Sequence, residues 1–449
     1  MRRTSLQTIR PVLLALAAAS LNAQPPLTLK DAIGMALDKH PSVKAAKAGE
    51  QEAEMRIKQA KGGYYPKLNY QESYQRGNNP VFVFSSLLTQ RQFTAANFDI
   101  ARLNNPDAMN NFQSQMIVDQ MLYDAGMTKH SMNSAGLMER VAGEEKRRND
   151  MDVIFNVVRA YSGTLLAQES LRVAGESVKS AEADLKRAEA VRAAGMATDA
   201  DVLSIRVHLA SVREQQIRAA NDLSAGRATL NEALGLPLDS QFDLTTPLAS
   251  SPAPVLKLSE FEKRGAEERP EARQMALATN LVSEQRALAK AAYLPQVSFR
   301  ALVEADRQQF VTKGGANWFT GLTLRWNLFN GMTDKARIEE TSLAAERAAA
   351  QKQRAENGIR LQVRKAHLDL GSAGERIEVA RSAVTMAEES HRIIQNRYEN
   401  GLTTVTELLR SETALAAARL RHLAAVHDQR VATASLLQAA GILNQDSEL

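Results

Sequence analysis

The chain repeats itself, and it does so in two registers. Leu29, Pro41, Tyr64 and Pro66 recur 229 positions later as Leu258, Pro270, Tyr293 and Pro295. Further along the offset is 206: Tyr123 matches Phe329, Ala160 matches Ala366, Gly195 matches Gly401, Thr198 matches Thr404, Asp201 matches Glu407 and Gly235 matches Gly441. The difference between the offsets is a 23-residue insertion in the first half, between Pro66 and Tyr123. Chance does not keep so many landmarks in step, so whatever one half folds into, the other must fold into as well. The expected organisation is a leader at 1–23, a first repeat at 24–247 and a second at 248–449. Pro237 to Pro254, with Ser250 and Ser251, reads as the linker between the repeats.

Proline placement divides each repeat again. No proline lies between Asp107 and Leu236, and none follows Pro295. Both tracts are rich in Ala, Glu, Lys, Arg, Gln and Leu, the strong helix formers. Proline is kept out of helix interiors because it lacks an N–H and clashes one turn back. Each half therefore begins in a punctuated region and ends in long helix. Gly126 to Gly195 and Gly331 to Gly401 would each form a rod of roughly 100 Å at about 1.5 Å per residue. Both rods stop at the same kind of turn, Gly195-Met196-Ala197-Thr198 and Gly401-Leu402-Thr403-Thr404. The glycine permits a left-handed end and the threonine caps the helix that returns. Thin, Ala-rich stripes such as Ala181, Leu185, Ala188 and Val191 suit close coiled-coil contact.

Between the first helices and the rods the period changes from helical to two. Leu68, Tyr70 and Tyr74 share one face, as do Phe112, Met116, Val118 and Leu122. Val297, Phe299, Ala301 and Val303 do the same opposite Gln296, Ser298, Arg300 and Glu304. The return strand alternates Trp318, Leu322, Leu324, Trp326 and Leu328 with Phe319, Gly321, Thr323, Arg325 and Asn327. Such alternation makes a sheet apolar on one face and polar on the other. Two readings stand at this point: a half-buried sheet under the helices, or the wall of a membrane barrel with lipid outside and water inside. Strands of about 10 residues suit a tilted crossing. Four strands cannot close a pore, since about eight is the practical minimum. An open edge in lipid leaves N–H and C=O groups unsatisfied. A spanning sheet would thus require two copies for eight strands or three for twelve.

Arg2, Arg3 and Arg10 precede the apolar run Val12 to Ala19, which ends in small residues with a cleavage position after Ala23. This is the layout of a secretory signal peptide. Without those three arginines, 53 basic side chains stand against 51 acidic ones, which argues against a nucleic-acid partner. There is no cysteine, so disulfides, thiolate catalysis and Cys-based metal sites are excluded. Histidines 40, 130, 208, 367, 391, 422 and 427 do not pair with a carboxylate at zincin spacing, and His367 (the repeat mate of Tyr161) reads as a helix-packing or solvated residue rather than a metal ligand. No phosphate-binding glycine loop, nucleophile elbow or dinucleotide fingerprint is present. The expectation is a protein that is not an enzyme and needs neither cofactor nor metal.

Several local marks now combine. They are Asp31-Ala32-Ile33 with Ala36-Leu37 and His40-Pro41; Tyr65-Pro66 before a strand; and Trp326 to Gly331 at a strand-to-helix junction. Others are Tyr398 to Gly401 followed by Thr404 and Glu407-Leu408-Leu409, and Leu234-Gly235 at a helix end. Together with the duplication, the chain resembles the outer membrane efflux protein family, the TolC-like channels, from about Leu27 to Leu443. The resemblance implies a mainly α fold with a membrane β-barrel part. Three protomers would form a 12-stranded barrel continuous with a periplasmic α-helical barrel. It further implies an outer membrane location extending into the periplasm, contact with outer membrane lipid, and partnership with a periplasmic adaptor and an inner-membrane transporter. By the same resemblance, acidic side chains after the second tip glycine ring the periplasmic entrance. Glu407 matches that position, its repeat mate Asp201 is a second candidate, and Arg410 stands where the family has another acid. Gly195, Met196, Thr198, Gly401, Leu402 and Thr404 are the expected adaptor contacts.

A periplasmic adaptor and an exported structural coiled-coil protein are the alternatives. An adaptor ordinarily carries one hairpin between β-rich domains, and a coiled coil has no use for strands bearing Trp318 and Trp326. The insertion, with the apolar stretch Val81 to Leu88, belongs to the external loop between the first two strands. It is a tolerated insertion, a cover over the mouth, or a surface for a partner.

Overall fold

A computed structural model describes residues 25–250, 256–312 and 314–448. The expected leader, and Ser251, Pro252 and Pro254 of the expected linker, lie outside the described residues. In chain order the elements are β1 (Pro26–Leu27), α1 (Leu29–Lys39), α2 (Pro41–Lys61), β2 (Lys67–Gly77), α3 (Pro80–Thr89), α4 (Ile100–Asn104), β3 (Met109–Tyr123), α5 (Met127–Ala193) and α6 (Asp199–Ala233). They continue with β4 (Asp243–Leu244), α7 (Leu258–Glu268), α8 (Pro270–Ala291), β5 (Gln296–Arg307), β6 (Gly315–Arg325), α9 (Thr333–Glu399) and α10 (Val405–Ala439). The long helices α5 and α9 have 67 residues each, and the returning helices α6 and α10 have 35 each. Pro41 and Pro270 each open a helix, where a missing N–H costs nothing.

The chain forms two compact units, and each draws on both halves of the sequence. Among the described residues, the first comprises 25–45, 147–250, 256–269 and 358–448. Its core is built where α1 meets α5 and α6: Ile33, Ala36, Val157, Val158, Leu230 and Leu234 are all buried in one cluster with Tyr161. The Tyr161 hydroxyl donates to the Leu27 carbonyl (2.8 Å) and accepts from the Thr246 N–H (3.1 Å), which ties down the parallel pair β1–β4. His367 packs as a side chain of the helical layer, its ring 6.4 Å from that of Phe261.

The second unit comprises, among the described residues, 46–146, 270–312 and 314–357. Its centre is an antiparallel sheet in the order β2-β3-β5-β6, so β2 and β6 are open edges. After β3 the Asp124 carboxylate accepts from the N–H groups of Gly126 (2.9 Å) and Thr128 (2.6 Å), starting α5. The return strand ends earlier than its alternation suggests. β6 stops at Arg325, whose partner is Gln296, because the next residue on β5 would be Pro295 and has no N–H to offer. Trp326 lies past the strand and instead donates its indole N–H to the Tyr293 carbonyl (3.0 Å).

Candidate channel wall and entrance

The register decides what the sheet can do. Tyr70 pairs with Met116, Met116 with Val303 and Val303 with Trp318, so one row crosses all four strands on a single face. Leu68, Val118, Phe299, Leu322 and Leu324 lie on that face too. Nothing in the described chain covers it: Tyr70 is 66% exposed and Trp318 76%. A half-buried sheet would hide these side chains under helices. Leaving each in water forgoes roughly 1.5–3 kcal/mol of burial, so the exposed row is a surface made for hydrocarbon. Strands of 11 residues, rising about 3.4 Å per residue and tilted about 40°, span about 28 Å, which matches an apolar band of about 25 Å.

The opposite face is a hydrogen-bonded polar lining. Gln113 and Gln115 both donate to Glu304 (3.3 and 3.2 Å), Arg300 grips Asp119 (2.7 and 3.4 Å), and Asn111 donates to Asp306 (2.7 Å). Two charges that the alternation does not announce share the apolar face. Glu72 accepts from Tyr70 (2.7 Å), Ser114 and Arg307 (3.0 Å), and Arg307 also donates to Ser114 (2.7 Å). A paired and fully hydrogen-bonded charge is the tolerable form of one beside lipid. Strand parity alone places Glu72 between Tyr70 and Tyr74, but its distant partner Arg307 is invisible without the register.

The hairpin ends belong to the other unit. α5 closes on Gly195 (φ +76°) with Met196 N–H bonded to the Val191 carbonyl (3.0 Å). α9 closes on Gly401 (φ +70°) with Leu402 N–H bonded to the Arg397 carbonyl (2.8 Å). Both φ values lie in the left-handed region that disfavours any residue with a Cβ. Thr198 then caps α6, and the Asp201 carboxylate accepts in return from the Thr198 N–H (3.1 Å) and hydroxyl (2.7 Å). Thr404 caps α10 from the same position, accepting from the Glu407 N–H (3.4 Å). Glu407 itself pairs with Arg410 (3.2 Å), both side chains being exposed. So Asp201 is engaged in its own helix start, whereas Glu407 and Arg410 form a solvent-facing pair. Met196 and Leu402 are exposed at the tips, and Ala188, Val202, Ile205 and Val405 bury one another just behind them. Packing thus brings the two expected entrance positions onto neighbouring helices.

A buried polar cluster lies deeper in the same hairpins, built from three elements far apart in sequence. Asp184 of α5 is 5% exposed and hydrogen-bonds Glu412 of α10. Ser180 donates to Glu412 (2.6 Å), and His208 Nε2 of α6 lies 3.3 Å from its second oxygen. Burial, then the hydrogen bond and negative charge of Glu412, push Asp184 up to about 7, against the opposing pull of Arg187 and His208. Burial also works to raise Glu412, but the hydrogen bonds from His208, Ser180 and Asp184 outweigh it and hold that carboxylate below its ordinary value. The proton of the pair therefore resides on Asp184. Among the described residues no group of three or more His, Cys, Asp or Glu side chains is arranged to hold a metal ion. No described helix is long and apolar enough to cross a membrane.

Comparison with known proteins agrees with this geometry. The family model described as outer membrane efflux protein matches residues 32–236 and 264–442. The chain is 24% identical to Protein CyaE of Bordetella pertussis over 431 residues, covering 94% of this chain and 85% of that one. It is 23% identical to the alkaline protease secretion protein AprF of Pseudomonas aeruginosa over 432 residues, covering 94% and 86%. The open state of the MtrE outer membrane channel of Neisseria gonorrhoeae superposes with a TM-score of 0.75 at 17% identity, over 94% of this chain and 91% of that one. The chain belongs to the outer membrane efflux protein family, as an outer membrane channel of an efflux or secretion system that extends into the periplasm.

Proposed function

We propose that three copies of this chain, as two repeats each at 24–247 and 248–449, share one 12-stranded barrel and one helical tunnel. Solutes delivered by an inner-membrane transporter and a periplasmic adaptor would pass through it to the exterior. The observation that carries the reading is the uncovered row Tyr70–Met116–Val303–Trp318, backed by a polar face and flanked by two open edges. In lipid those edges need partners, and identical copies supply them: β6 of one protomer against β2 of the next. The work of such a channel is electrostatic and steric, since a water-filled path replaces lipid and no bond is broken.

At the entrance, Glu407 and Arg410 set the charge, with Asp201 behind them in its capping role. Gly195, Met196, Thr198, Gly401, Leu402 and Thr404 form the surface for the adaptor, with Met196 and Leu402 as its exposed apolar anchors. Because Glu407 and Arg410 are paired, their charges nearly cancel in a ring of three. Glu407→Gln leaves the arginines uncompensated. The purified protein, reconstituted in planar bilayers, should then shift its reversal potential in a salt gradient toward anion preference. An unchanged reversal potential would refute the entrance assignment, and a water-soluble monomer on extraction would refute the channel. The likeness to an alkaline protease secretion protein favours an exported polypeptide as cargo. Deletion of the chain should then abolish release of that polypeptide to the medium.

A further inference from the structure

The loop between β2 and β3 is not a solvent-exposed excursion, because α3 lies back against the sheet. Val83, Ser86 and Gln90 form one buried edge of the helix. Gln90 donates to the Asn110 carbonyl (3.0 Å) and to the Asn111 side chain (2.9 Å), and Asn111 donates onward to Asp306 (2.7 Å). Arg91 donates to the Ala316 carbonyl (2.8 Å) and Asn317 to the Thr89 carbonyl (3.4 Å). Gly315 is required here, since a Cβ on it would collide with the Thr89 carbonyl.

The face on which α3 sits follows from the register. Asn111 alternates with Phe112, Asp306 follows Glu304 on its face, and Asn317 pairs with Glu304. All of them belong to the polar face. The opposite edge of α3 carries Val81, Phe84 and Leu88, which remain exposed, with Phe93 and Phe98 stacked edge-on beside Phe84. An apolar helix edge thus points away from the wall into the space that the polar face encloses.

From this placement we infer that α3 is a plug, and that three copies meet at the barrel axis through Val81, Phe84 and Leu88 to close the mouth. The inference rests on the channel reading, which puts the polar face inside. A 12-stranded wall with strands about 4.8 Å apart and tilted about 40° has a radius of about 12 Å. A helix is about 10 Å across with its side chains. Such a wall encloses a lumen about 24 Å across between backbones, so three helices seated on it take up most of that width and bring their apolar edges toward the axis. Gln90 Oε1 and Asp306 Oδ2 are buried without a hydrogen-bond partner among the described residues. Each unsatisfied acceptor subtracts from what the seat gains by its hydrogen bonds.

The test uses the full-length protein in planar bilayers. Replacing residues 80–104 with a short Gly-Ser linker, which leaves the Gly77–Met109 pairing intact, should raise single-channel conductance severalfold. The pair Gln90→Ala and Arg91→Ala, which loosens the seat without shortening the loop, should raise it in the same direction. The chain has no cysteine, so Val81→Cys can form a disulfide only between copies. Oxidation should give a covalent dimer on a non-reducing gel and low conductance that reductant restores. A wild type of low conductance beside a deletion of severalfold higher conductance supports the plug. Equal conductance of wild type and deletion, or a Val81→Cys trimer that never cross-links, overturns it. Silence of both overturns the channel reading and the plug with it.

Discussion

Asp184 offers the sharpest quantitative test of how the hairpins are held. Its carboxyl is nearly inaccessible and faces Glu412 of α10, His208 of α6, Tyr398 of α9 and Arg187 of its own helix. It is pushed from the ordinary 3.8 up to about 7 by burial first and by Glu412 second. Between about pH 4 and pH 7 the folded chain keeps a proton that the unfolded chain has released, so stability falls as pH rises through that window and levels off above it. Each pH unit is worth about 1.4 kcal/mol, which sets a ceiling of about 4 kcal/mol on the cost at alkaline pH. Relaxation of the helices and water entering beside Glu412 bring the expected figure to about 2 kcal/mol. Asp184→Asn keeps the shape and supplies an N–H to Glu412 where the protonated carboxyl supplied an O–H. The variant should therefore match wild type at about pH 4 and exceed it by about 2 kcal/mol at about pH 8. Helix melting followed by circular dichroism across that range, at one protein concentration, reads the difference directly. Glu412 titrates in the opposite sense, its contribution being lost only as pH falls below its ordinary value, so it does not disturb this window. A difference that does not change with pH, or a wild type more stable at alkaline pH, would refute the assigned proton.

Three further outcomes follow from the packing. Tyr161→Phe removes the donor to Leu27 and the acceptor for Thr246 in a fully buried site, and should lower stability by about 1–3 kcal/mol in the same melting assay. Leu322→Arg puts a charge on the uncovered apolar face opposite Phe299. At about 2–4 kcal/mol per strand set it should cut the yield of protein recovered folded from the outer membrane, while Thr323→Arg on the other face should not. Gly401→Ala forces a Cβ into a left-handed tip (φ +70°) with open space around it, so the loss should be confined to about 1 kcal/mol of backbone strain.

Much of the architecture is legible in the chain because it is local. Absence of proline across 108–236 permits α5 and α6, and Gly195 with Thr198 marks their turn without reference to anything distant. The alternation around Val297 to Val303 states that two unlike faces exist. The site was less legible. Asp201 and Glu407 occupy matching positions in the repeat, yet one is spent on a capping box and the other pairs with Arg410, a distinction of side-chain geometry that spacing does not carry. Asp184, His208 and Glu412 lie on three separate helices, and the proton that Asp184 keeps depends on burial that only packing creates. Likewise Glu72 and Arg307 are 235 residues apart, and the strand register alone makes them partners.

By itself, then, the order of amino acids determined which segments are rods, which are pleated and where each turns, since those choices are made by neighbours within a turn or a pleat. It also determined that two like halves would be built. Only the tertiary structure decided that the apolar face stays bare, that α3 leans on the polar one, and that a carboxyl in α5 keeps its proton. Solvent exclusion and strand register are properties of segments brought together across the whole chain, and no short stretch of sequence contains them.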